Sequence, residues 1–98
     1  MLPYAFGDEA KADLDQHYSY LSERSPAAAR RLLASIIAAV EQACTFPDAA
    51  PRLIGVDEAG DVSGTRKLIE AAYRYVIYYR VVDGVLVVLR IYHPSQQR

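Results

Sequence analysis

The sequence is short of the residues from which small proteins build chemistry. Its 98 residues include one cysteine, Cys44, and two histidines, His17 and His93. A single cysteine excludes an internal disulfide and a cysteine-only metal site. The histidines are too few and too far apart in the pattern to suggest a metal site, so no metal or other cofactor is expected. A phosphate-binding glycine loop, HExxH, GxSxG and CxxC are all absent. There is no signal peptide and no apolar run long enough to span a bilayer, so a cytoplasmic protein without a membrane partner is the default. The formal net charge is −1, which argues against a polyanion binder, and direct nucleic-acid binding is not expected.

What the chain does have is apolar surface. The hydrophobic fraction is 52%, enough for the core of one small domain covering residues 1–98. It is concentrated in YRYVIYYRVVDGVLVVLRIYH, Tyr73 to His93. Asp83-Gly84 between two β-branched runs is a strong hairpin signal, because a type I′ turn needs φ > 0 at both central residues. A two-residue loop there pairs Val82 with Val85, and then Arg80 with Val87, Tyr78 with Leu89, Val76 with Ile91 and Arg74 with His93.

Side chains alternate across a strand. One face of this hairpin therefore carries Tyr75, Ile77, Tyr79, Val81, Leu86, Val88, Arg90 and Tyr92. The other carries Arg74, Val76, Tyr78, Arg80, Val82, Val85, Val87, Leu89, Ile91 and His93. Neither face is polar, whereas a solvated antiparallel face normally is. Such a sheet needs two covers. The chain supplies one; a partner or a second copy supplies the other. Arg74, Val76, Tyr78, Arg80, Val87, Leu89, Ile91 and His93 are thus the candidate partner-binding residues.

The rest of the chain reads as helices and one loop. Leu2, Tyr4 and Phe6 alternate as a short first strand, which Pro3 confines to an edge or a strand start. Ala10, Leu14, Tyr18 and Leu21 mark a first helix from Gly7-Asp8 to about Ser22. Ser25-Pro26 opens a second, with a serine cap and proline at the first position. It runs to about Thr45 with Ala29, Leu32, Leu33, Ile36, Ile37, Val40, Ala43 and Cys44 as its stripe. Phe46-Pro47 closes it. Pro47 to Gly64 reads as a long acidic surface loop, and Arg66 to Ala71 as the second strand. The order β-α-α-β-β-β predicts an α+β fold, an antiparallel sheet covered on one face by an αα-hairpin.

From Thr65 onward six basic and two acidic residues give a net +4, so the remainder carries −5. Arg66, Lys67, Arg74 and His93, with a tyrosine, could supply the cations, base and acid that RNA cleavage through a 2′-hydroxyl requires. The plainer reading, a basic strand end that docks an acidic partner, is favoured, and no catalytic residue is assigned. Arg90, placed among apolar neighbours, needs a carboxylate; Asp13 or Asp15 is the expected partner, in a structural role. His17 is expected to be a surface or helix-packing histidine and Cys44 to sit in the core.

In this order the motifs resemble toxins of the RelE/ParE superfamily from bacterial toxin–antitoxin pairs. Ala10 or Ala12, Asp13-Leu14, Tyr18 or Tyr20, Pro26 and Ala29 match its helical half. Gly64-x-Arg66-x-Leu68 matches its second strand, and Tyr75, Tyr79-Arg80-Val81, Arg90 and His93 its closing hairpin. The resemblance implies a growth-inhibiting toxin neutralised by a cognate antitoxin, in systems that serve plasmid stabilization. RelE-like members cut messenger RNA on the ribosome and carry a basic, tyrosine-containing tail. Here the tail is His93-Pro94-Ser95-Gln96-Gln97-Arg98. That depletion and the near-neutral charge place the chain closer to ParE, whose members inhibit DNA gyrase and are not nucleases. The alternatives are a ribosome-dependent endonuclease and a non-toxic antitoxin-binding co-repressor. A homodimer and a heterotetramer with the antitoxin are the assemblies this leaves open.

Overall fold

The computed structural model describes residues 1–52 and 64–96. The elements run β1 (Tyr4–Phe6), α1 (Asp8–Arg24), α2 (Pro26–Thr45), β2 (Arg66–Ile69), β3 (Val76–Val82) and β4 (Val85–Tyr92), followed by a short 3₁₀ turn at Pro94–Gln96. The α+β order is the expected one. Most of the expected Pro47–Gly64 loop, residues 53–63, lies outside the described residues, as do Gln97 and Arg98 of the tail.

Local chemistry sets the helix ends. Ser25 caps α2, its Oγ accepting from the Ala28 N–H at 3.2 Å, and Pro26 follows as the first helical residue. The same serine ends α1: its N–H donates to the Leu21 carbonyl at 2.7 Å. One residue between the helices folds them back into an αα-hairpin. Asp8 and Glu9 in the first turn of α1 and Arg24 in the last suit the helix dipole.

The four strands form one sheet in the order β1-β4-β3-β2. β2, β3 and β4 are antiparallel neighbours, as expected, and β1 adds to β4 in parallel, which makes the sheet mixed. Pro3 contributes only its carbonyl, which accepts from the Leu86 N–H at 2.9 Å, and strand pairing starts at the next residue. Gly7 then turns the chain into α1. Its N–H donates to the Val88 carbonyl at 2.9 Å, and a Cβ there would lie 3.3 Å from that oxygen.

The helices cover one face of the sheet. Leu32, Ile36 and Val40 of α2 and Ala10 of α1 meet Ile77, Tyr79, Leu86, Val88 and Ile91 in one buried cluster with Cys44. Each large side chain removed from water in this way contributes about 1.5–3 kcal/mol.

The β3–β4 turn is the predicted one: Asp83 and Gly84 have φ of 51° and 78°. The pairing runs as expected from Val82–Val85 to Tyr79–Val88 and then shifts. Tyr78 lies opposite Arg90, Ile77 opposite Ile91 and Val76 opposite Tyr92, with Leu89 the extra residue of a β-bulge. The expected pairs Tyr78–Leu89, Val76–Ile91 and Arg74–His93 are therefore not formed. One inserted residue exchanges the faces of everything beyond it.

Candidate functional site

The sheet face opposite the helices is the broadest candidate surface. The bulge decides its membership. Tyr78, Arg80, Val87 and Leu89 are half-buried and lie there as expected, with Val85 beside them. Val76 lies on this face but is only 5% exposed. Ile91 corrects the expectation: it is 0% exposed, opposite Ile77 in the core. Arg90 and Tyr92 take the outer side instead. The Tyr78 and Tyr92 rings meet edge to face at 5.8 Å, and the Arg90 guanidinium lies 4.7 Å from the Tyr92 ring centre. Lys67 and the 49%-exposed Ile69 of β2 extend the surface toward its edge. Among the described residues the helices pack on the other face.

Arg90 finds the partner expected of it, although its side chain is 37% exposed and so not buried as expected. Its Nε and Nη2 donate to the two Asp13 carboxylate oxygens at 2.8 and 3.0 Å, and Nη1 reaches Glu9 at 3.2 Å. The Ile91 N–H donates to Asp13 Oδ2 at 2.9 Å. Burial pushes the Asp13 carboxyl up, but the Arg90 and Ile91 hydrogen bonds outweigh it and hold the group below its ordinary value. The same contacts, the Asp13 hydrogen bond first, raise the Arg90 guanidinium further.

His17, one turn along α1, donates from Nε2 to the Ile91 carbonyl at 3.2 Å. A carbonyl only accepts, so Nε2 carries the proton. β1 pairs only as far as Val88. Beyond that point α1 offers a carboxylate and an imidazole to the open edge of β4.

The four residues considered for RNA cleavage are not gathered. Arg66 donates from Nη1 to the carbonyls of Ala50 at 2.6 Å and Asp48 at 3.2 Å, and from Nη2 to the Asp48 carboxylate at 3.2 Å. It fixes the chain that leaves α2, as does the Tyr79 hydroxyl, which donates to the Pro47 carbonyl at 2.8 Å. Lys67 faces the other side of the sheet, opposite Tyr78.

His93 does not share a face with Tyr78 and Arg80 as expected, because the bulge turns its ring against Tyr75 at 5.3 Å. Arg66 sits opposite Tyr79 and His93 beside Tyr75, four residues along the strand, or about 13 Å. His93 Nδ1 accepts from the Ser95 N–H at 3.0 Å, so the imidazole presents Nε2–H outward. Arg74 corrects the expectation as well. It is not on a strand face but in the β2–β3 connection, with φ of 65°.

Two residues escaped the sequence reading. Glu70 is 1% exposed. Its carboxylate accepts from the Ala72 N–H at 2.6 Å, the Tyr73 N–H at 2.8 Å and the Ser35 hydroxyl of α2. It thereby shapes the β2–β3 turn and pins it to the helix. A carboxylate opening a short loop between strands is the signal that could have found it. His17, expected as a surface or helix-packing histidine, does pack, edge to face on Tyr75 at 5.0 Å, and its bond to the Ile91 carbonyl is the part not foreseen.

An apolar groove of about 640 Å³ runs between the end of α2 and β2, lined by Ala39, Ala43, Phe46, Ala50, Leu68 and Ile69 among others. Phe46 is 60% exposed at its rim. Among the described residues no three of His, Cys, Asp and Glu are grouped to hold a metal ion, and no helix is long and apolar enough to cross a membrane.

The family model described as "ParE toxin of type II toxin-antitoxin system, parDE" matches residues 4–98. A solved structure, "Chromosomal ParDE TA system from P. aeruginosa", is similar over 95% of this chain and 96% of that one, with 26% sequence identity and a TM-score of 0.64. No curated protein matches the sequence.

Proposed function

The chain belongs to the ParE toxin family of type II toxin–antitoxin systems, and on that premise we propose that it arrests growth by binding DNA gyrase as a protein ligand, without cutting nucleic acid. Its antitoxin silences it by covering the outer sheet face around Tyr78, Arg80, Val87 and Leu89.

The observation that supports a binding mechanism is the dispersal of the cationic residues. Arg66 is spent on backbone carbonyls, Lys67 lies on the opposite face, and His93 stands about 13 Å along the strand. Phosphodiester cleavage needs base, acid and cation around one phosphate. A net charge of −1 also gives little attraction for RNA. The half-buried apolar row of Val85, Val87 and Leu89 suits an apolar antitoxin segment.

The test is to assay the purified chain in parallel against gyrase supercoiling and against messenger RNA undergoing translation. Inhibited supercoiling with intact transcripts is expected. Cleaved transcripts with unaffected gyrase would overturn the proposal. Val87→Asp is expected to weaken capture by the antitoxin encoded beside the toxin by roughly 30-fold, the scale of one interface hot spot. Unchanged capture would remove the outer face as the antitoxin site.

A further inference from the structure

The β2–β3 connection is built with more care than a passive link requires. Glu70 N–H donates to the Tyr75 carbonyl at 2.8 Å, and Arg74 N–H donates to the Glu70 carbonyl at 2.9 Å, closing the loop at its base. The buried Glu70 carboxylate holds the Ala72 and Tyr73 N–H groups and ties the loop to Ser35 of α2. Within this frame Arg74 adopts φ of 65°. A side chain pays a steric cost there, which glycine avoids and asparagine tolerates. An arginine at such a position gives nothing to the turn. Its side chain is exposed and, among the described residues, makes no hydrogen bond or ion pair. Strain held by a rigid frame is a mark of function when the strained residue has no structural employment.

The surroundings say what the knuckle would meet. Tyr73, 38% exposed, offers a phenol. His93, which is exposed and stands against Tyr75, offers Nε2–H, because Nδ1 is engaged by Ser95. The one carboxylate in the turn, Glu70, points inward and is fully used. The exposed charge of the turn is the Arg74 guanidinium, and it suits a carboxylate. One arginine at the turn, on a chain of net charge −1, does not suit a nucleic-acid backbone, which is bound by neutralising many phosphates.

We propose that the Tyr73–Arg74 knuckle docks an acidic patch on the protein that this toxin attacks. This rests on the reading of the chain as a toxin that acts by protein binding. It adds the contact: a fixed, outward arginine at one end of the sheet, separate from the row around Val87 and Leu89.

The experiment uses the full chain and three forms, natural, Arg74→Asn and Arg74→Lys, each measured for thermal unfolding, growth arrest on expression, gyrase supercoiling and binding to a duplex DNA probe. Arg74→Asn is expected to unfold at the natural temperature or above it and to lose roughly 30-fold in potency. Arg74→Lys keeps charge and strain and is expected to recover part of that loss. An Arg74→Asn chain that arrests growth like the natural one overturns the proposal. So does one that unfolds at a lower temperature, since the arginine would then serve the turn. Duplex binding by the natural chain that Arg74→Asn abolishes would assign the knuckle to phosphate and overturn a protein partner. If the natural chain arrests growth and leaves gyrase untouched, the gyrase reading fails while the growth comparison still decides the knuckle. A natural chain that arrests nothing overturns both.

Discussion

Asp13 and His17 hold the two backbone groups of a single residue: the carboxylate takes the Ile91 N–H at 2.9 Å and the imidazole gives its Nε2 proton to the Ile91 carbonyl at 3.2 Å. Four residues apart on α1, they face the same way. Where β1 ends, the helix supplies what another strand would have supplied. Removing the carboxylate strands the Ile91 N–H and leaves Arg90 only its outer contact with Glu9. Asp13→Ala is expected to cost about 1–3 kcal/mol, and Asp13→Asn less, because its amide oxygen still accepts from Ile91. The pH dependence has a definite sign. The folded Asp13 carboxyl lies below its ordinary value, so the unfolded chain takes up the proton first. The contribution is present above the ordinary carboxylate range and is lost as pH falls through it toward the folded value. Urea midpoints of the natural and Asp13→Asn chains should differ at pH 7 and converge in acid.

Deleting Leu89 should be tolerated about as well as truncating it, because it removes the bulge and keeps the pairing beyond it. Without the extra residue, Tyr79–Val88 is followed directly by Tyr78–Arg90 and Ile77–Ile91, so β4 pairs evenly with β3 and Ile91 stays in the core. Leu89→Ala keeps the bulge and loses only a half-buried side chain. Each change is expected to cost about 0.5–3 kcal/mol, and a deletion that unfolds the chain would show that the bulge itself is required. Circular dichroism melts of the two variants separate the outcomes.

Arg66 should behave as a structural residue. Its side chain is 14% exposed, and it serves two carbonyls after α2. Arg66→Ala is expected to lose about 1–3 kcal/mol, and Tyr79→Phe about 1 kcal/mol for the bond to Pro47. For a domain of this size each kcal/mol lowers the melting temperature by about 4–8 °C. Any loss of toxicity in these variants should follow the loss of stability. An Arg66→Ala chain that melts normally yet arrests no growth would return Arg66 to the functional surface.

Cys44 should be silent. It is 1% exposed. Burial, with the Glu41 charge second, pushes its thiol above the ordinary value, so little thiolate is available. Reaction with a coloured disulfide reagent is expected only after denaturant is added. Rapid labelling of the native chain would show that the end of α2 opens.

The elements with local chemical signals were legible in the sequence. Ser25-Pro26 states a helix start and Asp83-Gly84 a hairpin turn, and each lies where it was read. Arg90 required a carboxylate, and Asp13 supplied it. The bulge was not legible, for a physical reason. Both hairpin faces are apolar, so alternation carries no phase, and a one-residue slip at Leu89 leaves the pattern of greasy side chains unchanged. Ile91, Arg90, Tyr92 and His93 were all placed on the wrong side by that one residue. Arg74 was misplaced for a related reason: β3 begins at Val76, and a buried glutamate, silent in the periodicity, shapes the turn before it. The parallel entry of β1 was hidden because three residues give no directional signal.

The pairing of β1 with β4 has a consequence for synthesis. The first strand made can be completed only by the last, and β4 is the inner strand that joins β1 to the rest. While the polypeptide is still being extended, the helical pair emerges with nothing to cover. The sheet therefore comes into being as a whole only once β4 has been made, and no earlier fragment can display its surfaces.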